Sequence, residues 1–391
     1  MPDTTNILFI QSQSGFGADA AIHAHIMRYL DRSRFTVHVA CTQGDDSGKA
    51  LSLSRLEGIP NLRVRVTQFV PGRQRSLANV LDAAGFPLDF VALRRYVREH
   101  GIQLVHSSER PRDALYSLAL ARATGAKSII HVHVKWSNEY SKIARFGVRH
   151  ADAVFAISRY VKDSLLNMGT KESRVFTILN AIDISKWRPE LSGEAVRREF
   201  AIAPGAPLLV SVSRLFSWKG QRELVRTLPI VHREFPEARL LIVGADEREV
   251  HHGSFTSELK ALACELGVED SITFTGARSD IPAIMAAADV FTLPSYEEPF
   301  GLVFLEAMAM QRPVVALDNG GTPEVVEHGT TGFLSRPWDV PALAANILKL
   351  IKDRELRARM GQAGRKRVLE HFSAERMAQD TAAAYHTLLS R

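Results

Sequence analysis

Cysteine is scarce: Cys41 and Cys264 are the two in 391 residues, and they lie far apart in the chain. That excludes a disulfide-stapled scaffold and a paired C-x-x-C motif, and it implies buried thiols in a reducing compartment. No apolar run reaches the roughly 20 residues that a helical membrane crossing takes. The first residues, MPDTTNILFIQ, pass into an apolar strand-like run with no basic segment or small-residue cleavage site, so the expected location is cytoplasmic. Aspartates at D-x-D spacing are missing, as are an H-E-x-x-H pair, a P-loop and a G-x-S-x-G elbow. An ion held by paired aspartates is therefore not anticipated, and neither metal nor cofactor is expected. His251-His252 reads as a solvated pair.

Charge of one sign is also limited. Lys and Arg number 49 against 43 Asp and Glu, a formal net charge of +6. Short basic clusters occur at Arg73 and Arg75, at Arg94, Arg95 and Arg98, at Lys142, Arg145 and Arg149, and at Arg365 to Arg367. None interleaves with aromatics as a nucleic-acid groove does, so no nucleic-acid partner is expected. Each reads first as a solvated face; peripheral contact with anionic lipid is the functional alternative.

What the chain does have is alternation. Apolar strand-like runs fall at Ile7–Ile10, Thr36–Ala40, Leu104–His106, Ser128–Val134, Ala153–Ile157 and Val175–Ile178. After Pro207 the pattern restarts, with runs at Leu208–Val212, Arg239–Val243, Ile272–Phe274, Val290–Leu293, Val314–Ala316 and Gly332–Leu334. Continuous rather than alternating apolarity suits strands covered on both faces, and helix-like stretches between them point to parallel sheets. Two doubly wound domains are predicted, with a linker zone between Asp183 and Pro207 and a last helix from about Ala374 to Ser390.

The most specific stretch is SYEEPFGLVFLEAMAMQRPVVA, Ser295 to Ala316, which sets Glu298 and Glu306 eight positions apart. Pro299 and Gly301 supply a turn, and an apolar helix follows. The first-turn amides, at Phe300, Gly301 and Leu302, lack intrahelical partners and can face an anion. Glu306 stands in a helix with no polar face, which argues for a buried or partly buried carboxyl in need of a partner. Glu297 reads as exposed.

This segment resembles the E-x(7)-E signature of the retaining, nucleotide-sugar-dependent glycosyltransferases of family four. The resemblance is strongest from Val210 to Leu334. It implies the GT-B fold, two Rossmann-like domains facing a cleft. Residues 1–186 would bind the acceptor and 187–373 the nucleotide sugar, while 374–391 form a helix crossing back to the first domain. Glu306 would hold the ribose and Glu298 the transferred sugar.

Arg214 and Lys219 lie on the loop after Leu208–Val212. Two cations at the C-terminal edge of a parallel sheet suit a diphosphate, and they match the family's phosphate-binding pair. In IIHVHVKW, His131 and His133 share a face at period two; His133 matches the family's active-site His, with His131 the alternative if the register shifts by two. His106 reads as structural or acceptor-side. Family resemblance sets Arg278 beside the nucleobase, and Gly15 and Gly17 in a loop near the donor phosphate and acceptor. Asn180-Ala181-Ile182-Asp183 resembles the family's Asn-Gly-Val-Asp, with Ala181 in place of Gly.

Gly15 to Ala20 also has the outline of a dinucleotide fingerprint, G-x-G-x-x-A after a strand. A nicotinamide-dependent oxidoreductase is the competing reading, and a sugar-nucleotide epimerase or binding protein on the same fold is a third. The partners anticipated are a UDP- or GDP-sugar donor and a glycan, lipid-linked or small-molecule acceptor. Loops at Gly44–Gly58, Pro71–Asp89 and Lys135–Arg149 are expected to set acceptor specificity.

Overall fold

The computed structural model describes residues 4–13, 15, 17–42, 44–45, 48–49, 51–56, 58–67, 78–246 and 254–391. Arg73 and Arg75, His251-His252 and parts of the first two expected acceptor loops lie outside the described residues. The chain divides into two compact units, Met1–Asn180 with Ala374–Arg391, and Ala181–Ser373.

The first unit carries strands β1 (Thr5–Gln11), β2 (Phe35–Cys41), a short antiparallel hairpin of β3 (Gly44–Asp45) and β4 (Gly48–Lys49), then β5 (Arg63–Val66), β6 (Ile102–Ser108), β7 (Lys127–Val132), β8 (Ala153–Ala156) and β9 (Val175–Thr177). Seven of them form one parallel sheet in the order β5-β2-β1-β6-β7-β8-β9. Leu8, Ile10, Val105, Tyr116 and Leu120 share one core under helices Ala78–Glu99 and Pro111–Thr124. The last helix, Ala374–Leu389, packs on helix Ala18–Tyr29 of the same unit. Its Tyr385 is fully buried, with its hydroxyl 2.5 Å from His106 Nδ1.

In the second unit β10 (Leu208–Val212), β11 (Arg239–Val243), β12 (Ile272–Gly276), β13 (Val290–Leu293), β14 (Val314–Leu317) and β15 (Gly332–Ser335) make a parallel sheet, ordered β12-β11-β10-β13-β14-β15. Leu209, Leu224, Leu228, Leu240, Ile242 and Ile347 anchor an apolar cluster in it. The segment after Asn180 goes with this unit: Ile182 N–H donates to Phe372 O at 3.1 Å, and Arg197 pairs with Asp289 at 2.7 Å.

Strand order reverses direction at β1/β6 and at β10/β13. In open parallel sheets such a reversal splays the loops at the strands' carboxyl ends and leaves a crevice where ligands bind.

Every expected run forms a strand, with ends that differ by up to two residues. Three expectations change. The seventh strand stops at Val132, so His133 sits just beyond it rather than inside. Cys41 is buried, but Cys264 is exposed on helix Phe255–Glu265, whose inner side is filled by Phe255, Leu259 and Ala263. β5 and the hairpin were not anticipated; β5 reads Arg-Val-Arg-Val and is exposed along its length, so it has no continuous apolar run.

Candidate active site

At the β10/β13 reversal the expected donor residues come together. The loop after β10 runs through Arg214 to Gly220, and the loop after β13 runs from Pro294 to Gly301. Lys219 Nζ reaches Glu298 Oε2 at 2.7 Å, with both side chains about nine-tenths covered (12% and 11% exposed). Trp218 lies under the same ammonium at 4.0 Å, and Arg214 crosses the Phe216 ring at 4.9 Å. Glu298 is therefore no solvated loop charge, whereas Glu297 is exposed and sits at φ 52°.

Backbone contacts fix this loop. Tyr296 N–H donates to Trp218 O at 2.7 Å, tying the two loops, and Gly321 N–H donates to Glu298 O at 2.7 Å. The Gly320-Gly321 turn after β14 lies so close that a Cβ on Gly321 would stand 2.4 Å from Pro299 O, and one on Gly320 2.6 Å from Glu298 O. Gly301 adopts φ 96°, a left-handed conformation that opens helix Leu302–Ala309. Phe300 is buried, so its backbone rather than its ring is available there. Phe304 N–H is taken by Gly301 O at 3.0 Å.

Glu306 lies on that helix and keeps part of its surface open. Burial among apolar neighbours pushes its carboxyl up to about 8. Such a group is poised to accept hydroxyl donors as a carboxylate once a ligand supplies them.

Arg278 follows β12. Its guanidinium binds Glu199 at 2.6 and 3.0 Å and Asp280 at 2.7 and 2.9 Å, and it lies 5.6 Å from the Phe200 centroid. Register puts Gly276 beside Val243 and Val243 beside Val212, so this loop and that of Arg214 leave the same edge of the sheet.

At the β1/β6 reversal the first unit holds a second polar cluster. Asp19, in the first turn of helix Ala18–Tyr29, binds Arg110 at 2.7 Å just past β6. Asp113 takes Ser12 N–H at 3.2 Å and Ser108 Oγ–H at 3.1 Å, while Glu109 takes His133 N–H at 3.3 Å. Burial drives Glu109 up to about 7 and Asp113 up to about 6. Burial also works to raise Asp19, but the bonded Arg110 holds it down at about 2. Gln11, Gln13, Gly15, Asp19, His23 and Asp113 line a cavity here. Gly17 adjoins it: a Cβ there would stand 2.8 Å from Asp19 Oδ1.

His131 and His133 point the same way, with ring centroids 4.3 Å apart, and His23 joins them at 5.5 and 5.6 Å. Burial lowers His133 to about 3 and His23 to about 4, so both are neutral imidazoles at pH 7.

Two families describe the chain. "Glycosyl transferases group 1" matches residues 193–367 and "Glycosyltransferase Family 4" residues 23–186. The GDP-mannose-dependent alpha-(1-6)-phosphatidylinositol monomannoside mannosyltransferase of Mycobacterium tuberculosis is 32% identical over 309 residues, 75% of this chain and 78% of that protein. The chain belongs to the family 4 glycosyltransferases. The N-acetyl-alpha-D-glucosaminyl L-malate synthase of Bacillus anthracis is 28% identical over 249 residues, covering 64% of this chain and 63% of that one. Among solved structures, Anabaena Alr3699/HepE in complex with UDP and glucose has a TM-score of 0.79 at 25% identity, covering 98% of this chain and 100% of that one. The fold of this glycosyltransferase is the expected α/β GT-B, built from two Rossmann-like domains.

Sequence reasoning missed Asp19, His23, Glu109, Arg110, Asp113 and Tyr385 in this glycosyltransferase. Asp19 stood inside the quoted Gly15–Ala20 loop, and Glu109-Arg110 directly follow a recognised strand, so position at a strand's carboxyl end was the available signal. Tyr385 carried none, because its partner His106 lies 279 positions away.

The Gly321 contact yields a direct test. Gly321→Ala puts a methyl against Pro299 O with no flexible side chain to yield, so the Glu298 loop has to move. Sugar-transfer activity is expected to fall at least tenfold and the melting temperature to drop. Gly329→Ala, at a glycine whose Cβ position is open, is the comparison: its strain at φ 80° costs stability without moving the Glu298 loop.

Proposed function

We propose that this enzyme transfers a sugar from a nucleotide-diphosphate sugar, with retention of anomeric configuration and without a required metal, to a glycan, lipid-linked or small-molecule acceptor. The observation that carries the reading is the Glu298–Glu306 spacing with Lys219 paired to the first carboxylate at the β10/β13 reversal. Relatives support the donor class: the mannosyltransferase is GDP-mannose-dependent by name, and the Anabaena protein was solved with UDP and glucose.

Glu306 accepts hydrogen bonds from the ribose hydroxyls and Glu298 from those of the transferred sugar. Lys219 has three donors and spends one on Glu298, so it can bind a phosphate oxygen with that pair intact. Together with Arg214 and the amides of Phe300, Gly301 and Leu302, it stabilises charge that develops as the anomeric C–O bond breaks. Arg278, its fork occupied by two carboxylates, offers its stem and flat face to the base. Neutral His133 hydrogen-bonds the transferred sugar. The acceptor hydroxyl attacks on the face that the diphosphate leaves, and its proton passes to a departing phosphate oxygen. The first unit's cavity at Gly15, rimmed by Asp19 and Asp113, suits acceptor hydroxyls better than phosphate.

A nicotinamide reading of Gly15–Ala20 needs an acid at the end of the second strand, where Cys41 stands. Among the described residues no helix is long and apolar enough to cross a membrane. Helix Lys142–His150 shows Ile143 and Phe146 at 50% and 52% exposure beside Lys142 and Arg149. We place this face against anionic lipid at the cytoplasmic side of a membrane.

Calorimetric titration with UDP, GDP and ADP tests donor binding. One diphosphate should bind, with affinity that rises with pH up to about 8 as Glu306 gives up its proton, then levels off. In Glu306→Gln that rise should vanish and affinity should fall. No binding by any of the three contradicts the proposal. Proton NMR of the product should show the donor's anomeric configuration; an inverted product rules out retention. Ile143→Ser with Phe146→Ser should weaken sedimentation with phosphatidylglycerol vesicles while leaving nucleotide binding unchanged.

A further inference from the structure

We propose that His23, His131 and His133 form a binding site for one divalent cation of the imidazole-preferring, Zn2+ class. One usable nitrogen from each ring lies within 4.8 Å of the others. The three come from different places: His23 from the helix after β1, His131 from the end of β7, His133 from the residue just beyond it.

Their nitrogens are the decisive detail. His131 is fully buried, and among the described residues both of its ring nitrogens lack a hydrogen-bond partner. The same holds for both ring nitrogens of His133 and for Nε2 of His23. Buried polar atoms are nearly always bonded, and these face one another without bonding one another. His106, packed against His23 at 4.8 Å, is turned aside by its bond to Tyr385. Neutral imidazoles present lone pairs without a proton to displace, the state in which they ligate.

The surrounding charge favours a cation. Carboxyl groups of Asp19, Glu109 and Asp113 lie around Arg110, and Asp19 is bonded to it. An anion would meet three acids. Three imidazoles suit Zn2+, Co2+, Ni2+ or Cu2+, and leave a fourth position of a tetrahedral ion open. His23 also lines the cavity with Gln11, Gln13 and Asp19, which gives that position a polar route to the site. Tetrahedral bonds of about 2.0–2.1 Å need nitrogens closer than 4.8 Å, so the rings draw inward on binding.

The site differs in chemistry from aspartate-held Mn2+ or Mg2+, and it need not serve transfer. An ion there would occupy His133 and thereby block the sugar contact. That consequence rests on the role given to His133 above; binding itself does not, so the two can fail separately.

The test uses the full chain, stripped with a chelator and titrated with Zn2+ by calorimetry and with Co2+ by visible absorption. One ion per chain should bind, and Co2+ should give the intense bands of four-coordinate geometry. His23→Gln and His131→Gln should each lose that binding, while His251→Ala with His252→Ala should keep it. Absence of stoichiometric binding, a weak octahedral Co2+ spectrum in the wild type, or loss only in the His251/His252 variant would overturn the site. The wild-type Co2+ spectrum decides even if a variant fails to fold.

Discussion

The reversal of strand order governs where charged side chains meet in this chain. Each sheet is parallel and, away from the edge strand β5, covered on both faces, so most of the side chains its strands bury are apolar. Polar groups collect where neighbouring connections part. At both reversals an ion pair joins the two diverging loops, Asp19 with Arg110 in one unit and Lys219 with Glu298 in the other. The pairs differ in exposure: Arg110 is 43% exposed, while Lys219 and Glu298 are nearly enclosed. An enclosed pair is sensitive to losing one member, because the survivor stays desolvated.

The proposed donor half was legible in the sequence as a cluster because its groups are close in the chain or on loops with a shared grammar. Glu298, Gly301 and Glu306 belong to one turn and helix, and Arg214 and Lys219 to one strand exit. Apolar runs gave the strands for the same reason, since a strand covered on both faces is written in consecutive residues. β5 escaped because an exposed edge strand has no such run. Cys264 was misjudged because helix periodicity near it leaves room for a thiol on either side.

The histidine cluster was only half visible. Period two in the seventh strand put His131 and His133 on one face, but His23 reaches them, and Tyr385 reaches His106, through tertiary packing alone. Glycines show the same limit. Nothing in the sequence tells where the amides of Gly320-Gly321 are directed; the structure shows Gly321 N–H spent on the Glu298 carbonyl. The turn therefore shapes the carboxylate's loop from behind.

The edge strand β5 has a bearing on the behaviour of the whole molecule. An open sheet ends in unpaired amides and carbonyls, a template on which another chain could add a strand. Here the edge is only four residues long, and Arg63 and Arg65 occupy alternate positions on it. Two copies approaching edge to edge would bring four guanidinium groups together. Like charge set along an edge disfavours that pairing, whatever reaction the molecule carries out.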